Sequence, residues 1–210
     1  VINEFLVNPT GTDSTELAEW IEFYNRGGAS VSLEGWTVER FSQASNYSEI
    51  FRFDAAHSVG ASGHFLLGET NVASTDATAS LLGLYGGSSG DGVRLLDCQG
   101  TVVDTVVYAP PNDDLLLDDS GSVATSVAPA PGEAESLARV SDGVDTERSG
   151  ADFVVATTPT PGAANPVVQP PVCVPDLGGV VTINEFMVNP DGTDSAVLLE
   201  FVELHATAAV

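Results

Sequence analysis

The opening stretch of the chain, residues 1–25, is written a second time from residue 182. The first copy reads VINEFLVNPTGTDSTELAEWIEFYN, and the second reads TINEFMVNPDGTDSAVLLEFVELHA. Where the two copies differ at core-type positions, as at Leu6 and Met187, the replacement is also apolar. Because self-similarity at a fixed offset marks one structural unit used twice, the chain is predicted to hold one complete module and the opening of another.

This repeat divides the chain into three predicted parts. Residues 1–165 form a complete module, residues 166–180 form a linker, and residues 181–210 carry the first two strands of a second module. The linker is predicted to be stiff and extended because it is rich in proline. Its prolines are Pro166, Pro170, Pro171 and Pro175.

Short apolar runs separated by turn residues, without sustained helical periodicity, predict an all-β protein folded as a sandwich. Residues 19–24 alternate between apolar and polar side chains, as a strand does. We expect residues 31–38 to be the partner strand of this run, across a glycine-containing turn. Residues 93–96 and 101–108 flank an Asp-Cys-Gln-Gly turn and form the clearest predicted hairpin.

The formal net charge of −24 comes from a chain whose only cations are six arginines. A surface of this sign repels phosphate backbones, so we expect no nucleic-acid partner. No run of about 18 apolar residues is present, so no membrane insertion is expected either. The acidity suits an extracellular or cell-surface protein. Cys98 and Cys173 are compatible with one disulfide in an oxidising compartment or with two free thiols.

No catalytic constellation emerges, and we predict that the protein is not an enzyme. Residues 86–90 fit the G-x-S-x-G pattern, but that elbow needs a helix after its serine, and here a predicted strand follows. The three histidines are separated by loops or lie in different parts of the repeat. Glu19 and Glu22 are three residues apart and fall on opposite faces of one strand.

Calcium is the better chemical candidate among cofactors, although none is required by the sequence. The repeated turn at residues 8–13 and 189–194 supplies closely spaced oxygen ligands, and so do residues 113–119. Asn, Pro, Asp and Gly also build ordinary turns. We therefore expect no resident cofactor, with calcium as the alternative.

Six sequence blocks in a fixed order resemble the lamin-tail domain. They are INE at 2–4, EWIEFYN at 19–25, LEGW at 33–36, GDGVRLLDCQGTVVDTVVY at 90–108, ESLARV at 135–140 and TPTPGAAN at 158–165. The resemblance implies an immunoglobulin-like β-sandwich of the lamin-tail type over residues 1–165. It also implies a structural role, since the domain belongs to filament-forming nuclear lamins and to accessory modules of bacterial secreted or surface proteins, some beside hydrolases.

The partial second module poses a physical problem, because about thirty residues cannot bury enough surface to fold alone. Its apolar strands need a sheet to complete, and that sheet is supplied either by neighbouring repeats or by another copy of the chain, head to tail. The residues predicted to form this assembly surface are Ile183, Phe186, Val188, Phe201, Val202 and Leu204.

Three functions follow from these observations. The first is a non-catalytic structural module, such as a fibre subunit assembled by strand complementation. The second is a ligand-binding or adhesion module of a larger surface protein, in which the loops at 41–48, 68–90 and 109–135 hold the ligand. The third is an accessory domain of a secreted hydrolase. We favour the first because of the repeat, the acidic surface and the lack of catalytic groups.

Overall fold

The computed structural model describes residues 1–42, 46–86, 89–166, 181–187 and 201–206, and the chain divides into two compact units, Val1–Val168 and Gln169–Val210. The strands are β1 (Ile2–Leu6), β2 (Trp20–Tyr24), β3 (Val31–Ser32), β4 (Thr37–Ser42), β5 (Asn46–Arg52), β6 (Ser58–Val59), β7 (His64–Gly68), β8 (Ala77–Thr78), β9 (Asp91–Leu96), β10 (Val102–Tyr108), β11 (Ser136–Arg139), β12 (Phe153–Ala156), β13 (Val181–Met187) and β14 (Phe201–Ala206). The described helices are α1 (Asp13–Glu16) and α2 (Ser149–Asp152), of four residues each.

The first unit is a sandwich of two sheets, which confirms the predicted immunoglobulin-like all-β fold. One sheet has the strand order β12-β11-β1-β2-β7-β8, and the other has the order β10-β9-β4-β5. Side chains from both sheets form one core, to which Phe5, Ile21, Val38 and Leu95 contribute. This packing buries the apolar face of each sheet against the other.

Strand β2 shows how the sequence pattern positions the two faces. Ile21 and Phe23 enter the core between the sheets, as the alternation predicts. Trp20 lies on the opposite face, where it packs with Leu6 and Leu66. Both faces of this central strand are therefore covered, and its polar residue on the outer face, Glu22, is buried as well.

The predicted pairing of residues 19–24 with residues 31–38 is wrong. Strand β2 pairs with β1 on one side and with β7 on the other, so neither of its edges is open. Strand β3 pairs instead with β6, and β4 belongs to the second sheet. The side chain of Asn25, directly after β2, donates hydrogen bonds to the carbonyls of Ala29, Val59 and Gly60. These bonds hold the connection between β2 and β3 against the end of β6.

The hairpin predicted at residues 93–108 is confirmed as β9–β10, which pairs Val93 with Val106. The long segment that follows β10 folds back over the outer face of the smaller sheet. Leu116 and Ala124 pack there against Phe41 and Val107. A parallel bridge between Tyr108 and Ala128 also covers the end of β10. This segment therefore protects part of an edge strand that would otherwise be open to pairing.

The second unit contains β13 and β14 as an antiparallel hairpin. Ile183 pairs with Leu204 and Phe186 pairs with Val202, with an irregularity after Ile183. At the equivalent positions of the first unit, Ile2 pairs with Phe23 and Phe5 with Ile21, with an irregularity after Ile2. The two sequence copies thus share one backbone register. The predicted linker at 166–180 lies, apart from residue 166, outside the described residues, and the proposed domain boundaries stay predictions.

Candidate functional site

The centre of the larger sheet carries two buried carboxylates side by side. Glu4 of β1 is directly opposite Glu22 of β2, and both side chains are 0% exposed. They lie on the outer face of the sheet because Phe5 and Ile21, their neighbours in the strands, enter the core. Two adjacent buried acids are costly unless hydrogen bonds satisfy them, so their partners define the site.

Those partners come from a segment near the end of the module, residues 158–165, which we call the strap. Glu4 accepts hydrogen bonds from the Thr160 hydroxyl at 2.8 Å and from the Thr160 amide at 3.1 Å. Glu4 also accepts one from the Ser136 hydroxyl at 2.5 Å. Glu22 accepts from the Gly162 amide at 2.7 Å. We call this arrangement of Glu4, Glu22 and the strap the acidic clasp.

Two asparagine side chains, Asn3 and Asn165, add hydrogen bonds to the clasp. Asn3 donates to Glu22 at 2.8 Å. Asn165, at the end of the strap, donates to the carbonyls of Asn3 and Arg139, at 3.2 Å each. These bonds join the last residues of the module to its first strand, so the strap closes the fold over a sequence separation of more than one hundred residues.

Burial raises the pKa of Glu22 to about 7, although hydrogen bonds from Asn3 and Gly162 oppose this shift and the nearby Glu4 and Asp142 carboxylates add to it. His64 faces the same group from β7, with its Nε2 atom 3.3 Å from Asp142 and 4.0 Å from Glu22. Glu22 therefore changes its charge close to neutral pH, whereas an exposed glutamate does so far below it.

This shift predicts a pH-dependent stability that Glu22→Gln removes. Because the folded-state pKa of Glu22 is raised, its favourable contribution is complete below about pH 4.5 and is lost as the pH rises through 7. We expect the stability of the wild type relative to Glu22→Gln to fall by about 2 kcal/mol between pH 4.5 and 8. Urea unfolding at both pH values measures this difference. Glu34→Gln is the control, since Glu34 is exposed, and a constant difference for Glu22→Gln would contradict the assignment.

A second buried charge cluster surrounds Arg139, at the end of β11. Its guanidinium donates to Asp104 at 2.7 Å and to the Ile2 carbonyl at 2.6 Å, and it lies over the Phe153 ring at 4.6 Å. Burial raises the pKa of the Asp104 carboxyl, and Arg139 opposes that shift. The cluster links β1, β10 and β11 across the sandwich.

Carboxylate oxygens of Asp104, Asp119 and Asp145 lie within 4.8 Å of one another. Burial and the neighbouring Asp104 raise the pKa of Asp119 to about 7. Among the described residues, these three are the ones grouped closely enough to hold a divalent ion. Asp104 and Asp145 already pair with Arg139, so one guanidinium offsets part of their charge.

The turns suggested for calcium have structural roles where they are described. In the first turn, Thr12 accepts backbone hydrogen bonds that begin α1, and the Gly11 amide donates to Glu133. Asp113 and Asp114 are exposed in the segment after β10. The repeat of this turn, at 189–194, lies outside the described residues.

The residues considered for catalysis are dispersed. Glu19 accepts a hydrogen bond from the Leu84 amide, and Glu22 belongs to the clasp on the other face of β2. Strand β9, rather than a helix, follows the G-x-S-x-G stretch, of which residues 87 and 88 are outside the described part. His57 packs among Phe51, Phe53 and Phe65.

The predicted assembly residues belong to the second unit. Ile183 and Phe186 lie in β13, whereas Phe201, Val202 and Leu204 lie in β14. Val188 lies outside the described residues. Val202 is 64% exposed, although its counterpart in the first unit, Ile21, is completely buried.

Sequence reasoning missed the clasp and the Arg139 cluster. The available signal for the clasp was the repeat itself, because Glu4 and Glu22 recur as Glu185 and Glu203, and Glu22 does so between substituted neighbours. A glutamate retained twice in an apolar strand indicates a buried and satisfied acid. Arg139 gave no comparable signal, since its partners come from distant segments.

A cavity of about 210 Å³ lies at one end of the sandwich. Phe23, Leu33, Trp36 and Leu95 form much of its apolar wall, and Arg26 lies at the same site. The loops predicted to hold a ligand follow β4, β7 and β10, and these strands all end at the opposite end of the sandwich. The cavity therefore lies away from those loops.

The two-sheet sandwich with a closing strap defines an immunoglobulin-like structural or interaction module. The sequence profile of the Lamin Tail Domain family matches residues 1–110, more than half of the chain, and the chain belongs to this family. Strand β11 and the strap lie beyond the matched stretch. Comparison with curated protein sequences gives no match. Within the described residues, no helix is both long and apolar enough to cross a membrane.

Proposed function

We propose that this protein is a non-catalytic extracellular or cell-surface structural module whose chains associate head to tail through the β13–β14 hairpin. The contrast between Ile21 and Val202 carries this proposal. Ile21 is 0% exposed and its counterpart Val202 is 64% exposed, although both occupy the same register position. An isolated two-stranded hairpin is at best marginally stable in water, so this surface favours a partner.

The chemistry of the first unit supports a non-catalytic role. Its buried acids, Glu4, Glu22 and Asp104, accept hydrogen bonds from the strap, from neighbouring side chains and from Arg139. These contacts stabilise the fold. The acidic surface favours a soluble extracellular setting and disfavours nucleic acid as a partner.

Deleting residues 180–210 is expected to abolish self-association, because it removes the β13–β14 hairpin through which the chains are proposed to associate. Sedimentation and electron microscopy of the 210-residue chain and of the deletion variant measure this effect. A charge of −24 opposes contact between copies, so association is expected to strengthen as salt is added. Unchanged assembly after deletion would refute the proposal.

A matched pair of point variants refines this test. Val202→Asp places a charge on the exposed hairpin face and is expected to weaken association about ten-fold or more. Leu81→Asp introduces the same charge at a site that is also exposed, at 54%, but in the first unit. We expect Leu81→Asp to change association by less than about two-fold. Equal effects of the two variants would indicate general charge repulsion.

The cavity favours a second candidate function, a module that binds a small apolar ligand. Its wall combines aromatic and aliphatic side chains with Arg26 at the same site, as ligand sites commonly do. The solution state separates the two candidates, because a structural subunit assembles and a binding module is monomeric. The third candidate, an accessory domain of a hydrolase, has no comparable support from the described residues.

A further inference from the structure

The segment that follows β10 exposes an apolar face. Residues 115–124 form a short hairpin, which we call the outer hairpin, in which Leu117 lies directly opposite Val123. Leu116 is buried against the smaller sheet. Because side chains alternate along an extended chain, Leu115, Leu117 and Val123 point outward, where they are 64%, 48% and 41% exposed. Apolar side chains that cluster on one exposed face, rather than singly, indicate an interaction site.

The outer hairpin is held in one shape by hydrogen bonds. The Asn112 side chain donates to the carbonyls of Leu116 and Ala124 and accepts from the Leu116 amide. At the turn, the Asp118 carboxylate accepts from the amide and the hydroxyl of Ser120. The apolar face is therefore ordered before any partner arrives, and a pre-ordered surface loses little conformational freedom on binding.

Aspartates flank the leucines of this face on both sides. Residues 113–119 read Asp-Asp-Leu-Leu-Leu-Asp-Asp. Asp113 and Asp114 are exposed, and Asp118 is partly exposed. In the described part of the chain, no ion pair neutralises these three carboxylates. An apolar centre with a charged rim is the usual arrangement of a protein-binding surface, in which the centre supplies affinity and the rim selects the partner.

We propose that the outer hairpin docks a partner protein that presents bulky apolar side chains between lysine or arginine residues. The acidic rim attracts such a basic segment, whereas a net charge of −24 repels nucleic acid and anionic membranes. A second copy of the chain brings like charge, since it has six arginines and no lysine against thirty acids. This inference does not depend on the β13–β14 hairpin, and it adds a partner of another kind to the proposed structural module.

The test uses a fluorescein-labelled peptide, Lys-Lys-Leu-Leu-Leu-Lys-Lys, which is the charge-reversed counterpart of residues 113–119. Fluorescence anisotropy measures its binding to the complete 210-residue chain at low and high salt. Leu115→Ser/Val123→Ser is expected to weaken peptide binding about ten-fold or more, because it removes the apolar centre. Leu81→Ser/Val144→Ser is the matched control. It removes a leucine and a valine that are 54% and 45% exposed elsewhere in the first unit, and it is expected to change binding by less than about two-fold.

A second pair of variants tests the acidic rim. Asp113→Asn/Asp114→Asn is expected to weaken peptide binding about five-fold at low salt and less at high salt, because salt screens exposed charges. Glu34→Gln/Glu147→Gln removes the same charge from exposed positions elsewhere in the first unit and is expected to have less than about a two-fold effect. The peptide Lys-Lys-Ser-Ser-Ser-Lys-Lys, which keeps the charge and lacks the apolar centre, is expected to bind the wild type about ten-fold more weakly.

The inference is overturned if the leucine peptide does not bind, if the two serine variants weaken binding equally, or if the serine peptide binds as tightly as the leucine peptide. Self-association that falls in Leu115→Ser/Val123→Ser would place a second copy on the outer hairpin and overturn the basic partner. Urea unfolding of the variants is expected to match the wild type, because the replaced side chains are exposed. Deletion of residues 180–210 is expected to leave peptide binding unchanged, so this inference and the proposed self-association fail separately.

Discussion

Replacing Arg139 with methionine is expected to lower the free energy of unfolding by about 4 kcal/mol. The guanidinium is 1% exposed and lies 2.7 Å from Asp104, whose side chain is equally buried. Removal of one partner leaves a buried carboxylate without its counter-ion, and that loss exceeds the net value of the pair itself. Urea unfolding, followed by tryptophan fluorescence, measures the change.

Two further variants separate this explanation from general damage. Arg52→Met removes an arginine whose partner is Glu49 at the surface, and we expect little change in stability. Adding Asp104→Leu to Arg139→Met removes the carboxylate closest to the lost guanidinium and is expected to recover part of the loss, since Asp145 and Asp152 keep their charge. A loss for Arg139→Met as small as that for Arg52→Met would contradict the role of the buried pair.

Replacing Glu4 with alanine is expected to lower the free energy of unfolding by about 3 kcal/mol and to release the strap. The variant removes the acceptor of hydrogen bonds from the buried Ser136 hydroxyl and from the half-buried Thr160 hydroxyl. Urea unfolding measures the stability. Hydrogen exchange at the Thr160 amide, which donates to Glu4, measures release of the strap.

Glu34→Ala is the control for this prediction, because Glu34 is exposed and its loss is expected to leave both measurements unchanged. The local readout distinguishes the clasp from a merely buried acid. If Glu4→Ala lowered stability but left the exchange of the Thr160 amide as slow as in the wild type, the strap would be held by other contacts.

The predictable parts of the fold depend on local patterns. Alternation in residues 19–24 placed Ile21 and Phe23 in the core, and the Asp-Cys-Gln-Gly turn predicted the β9–β10 hairpin, because both signals lie within a few residues. The partner of residues 19–24 was predicted wrongly, since proximity in sequence suggested residues 31–38. Both edges of β2 are paired with strands that are more distant in sequence or lie beyond residues 31–38, namely β1 and β7, so no edge is left for residues 31–38.

The candidate site could be predicted only in part. The recurrence of Glu4 and Glu22 as Glu185 and Glu203 is visible in the repeat, but no sequence pattern pairs the two acids with one another. That pairing requires the antiparallel register of β1 and β2. Arg139 reaches Ile2 and Asp104 over long separations in sequence, and no local rule brings these residues together.

The sequence alone determined the class of fold, the repeated hairpin and the acidity, because side-chain alternation, internal identity and charge depend only on the types and order of the residues. Tertiary structure decided which strands are neighbours, that the strap closes on Glu4 and Glu22, and that Arg139 is buried among acids. The physical reason is that burial raises the energetic cost of an unpaired charge. Only the folded chain brings together the distant groups that offset this cost.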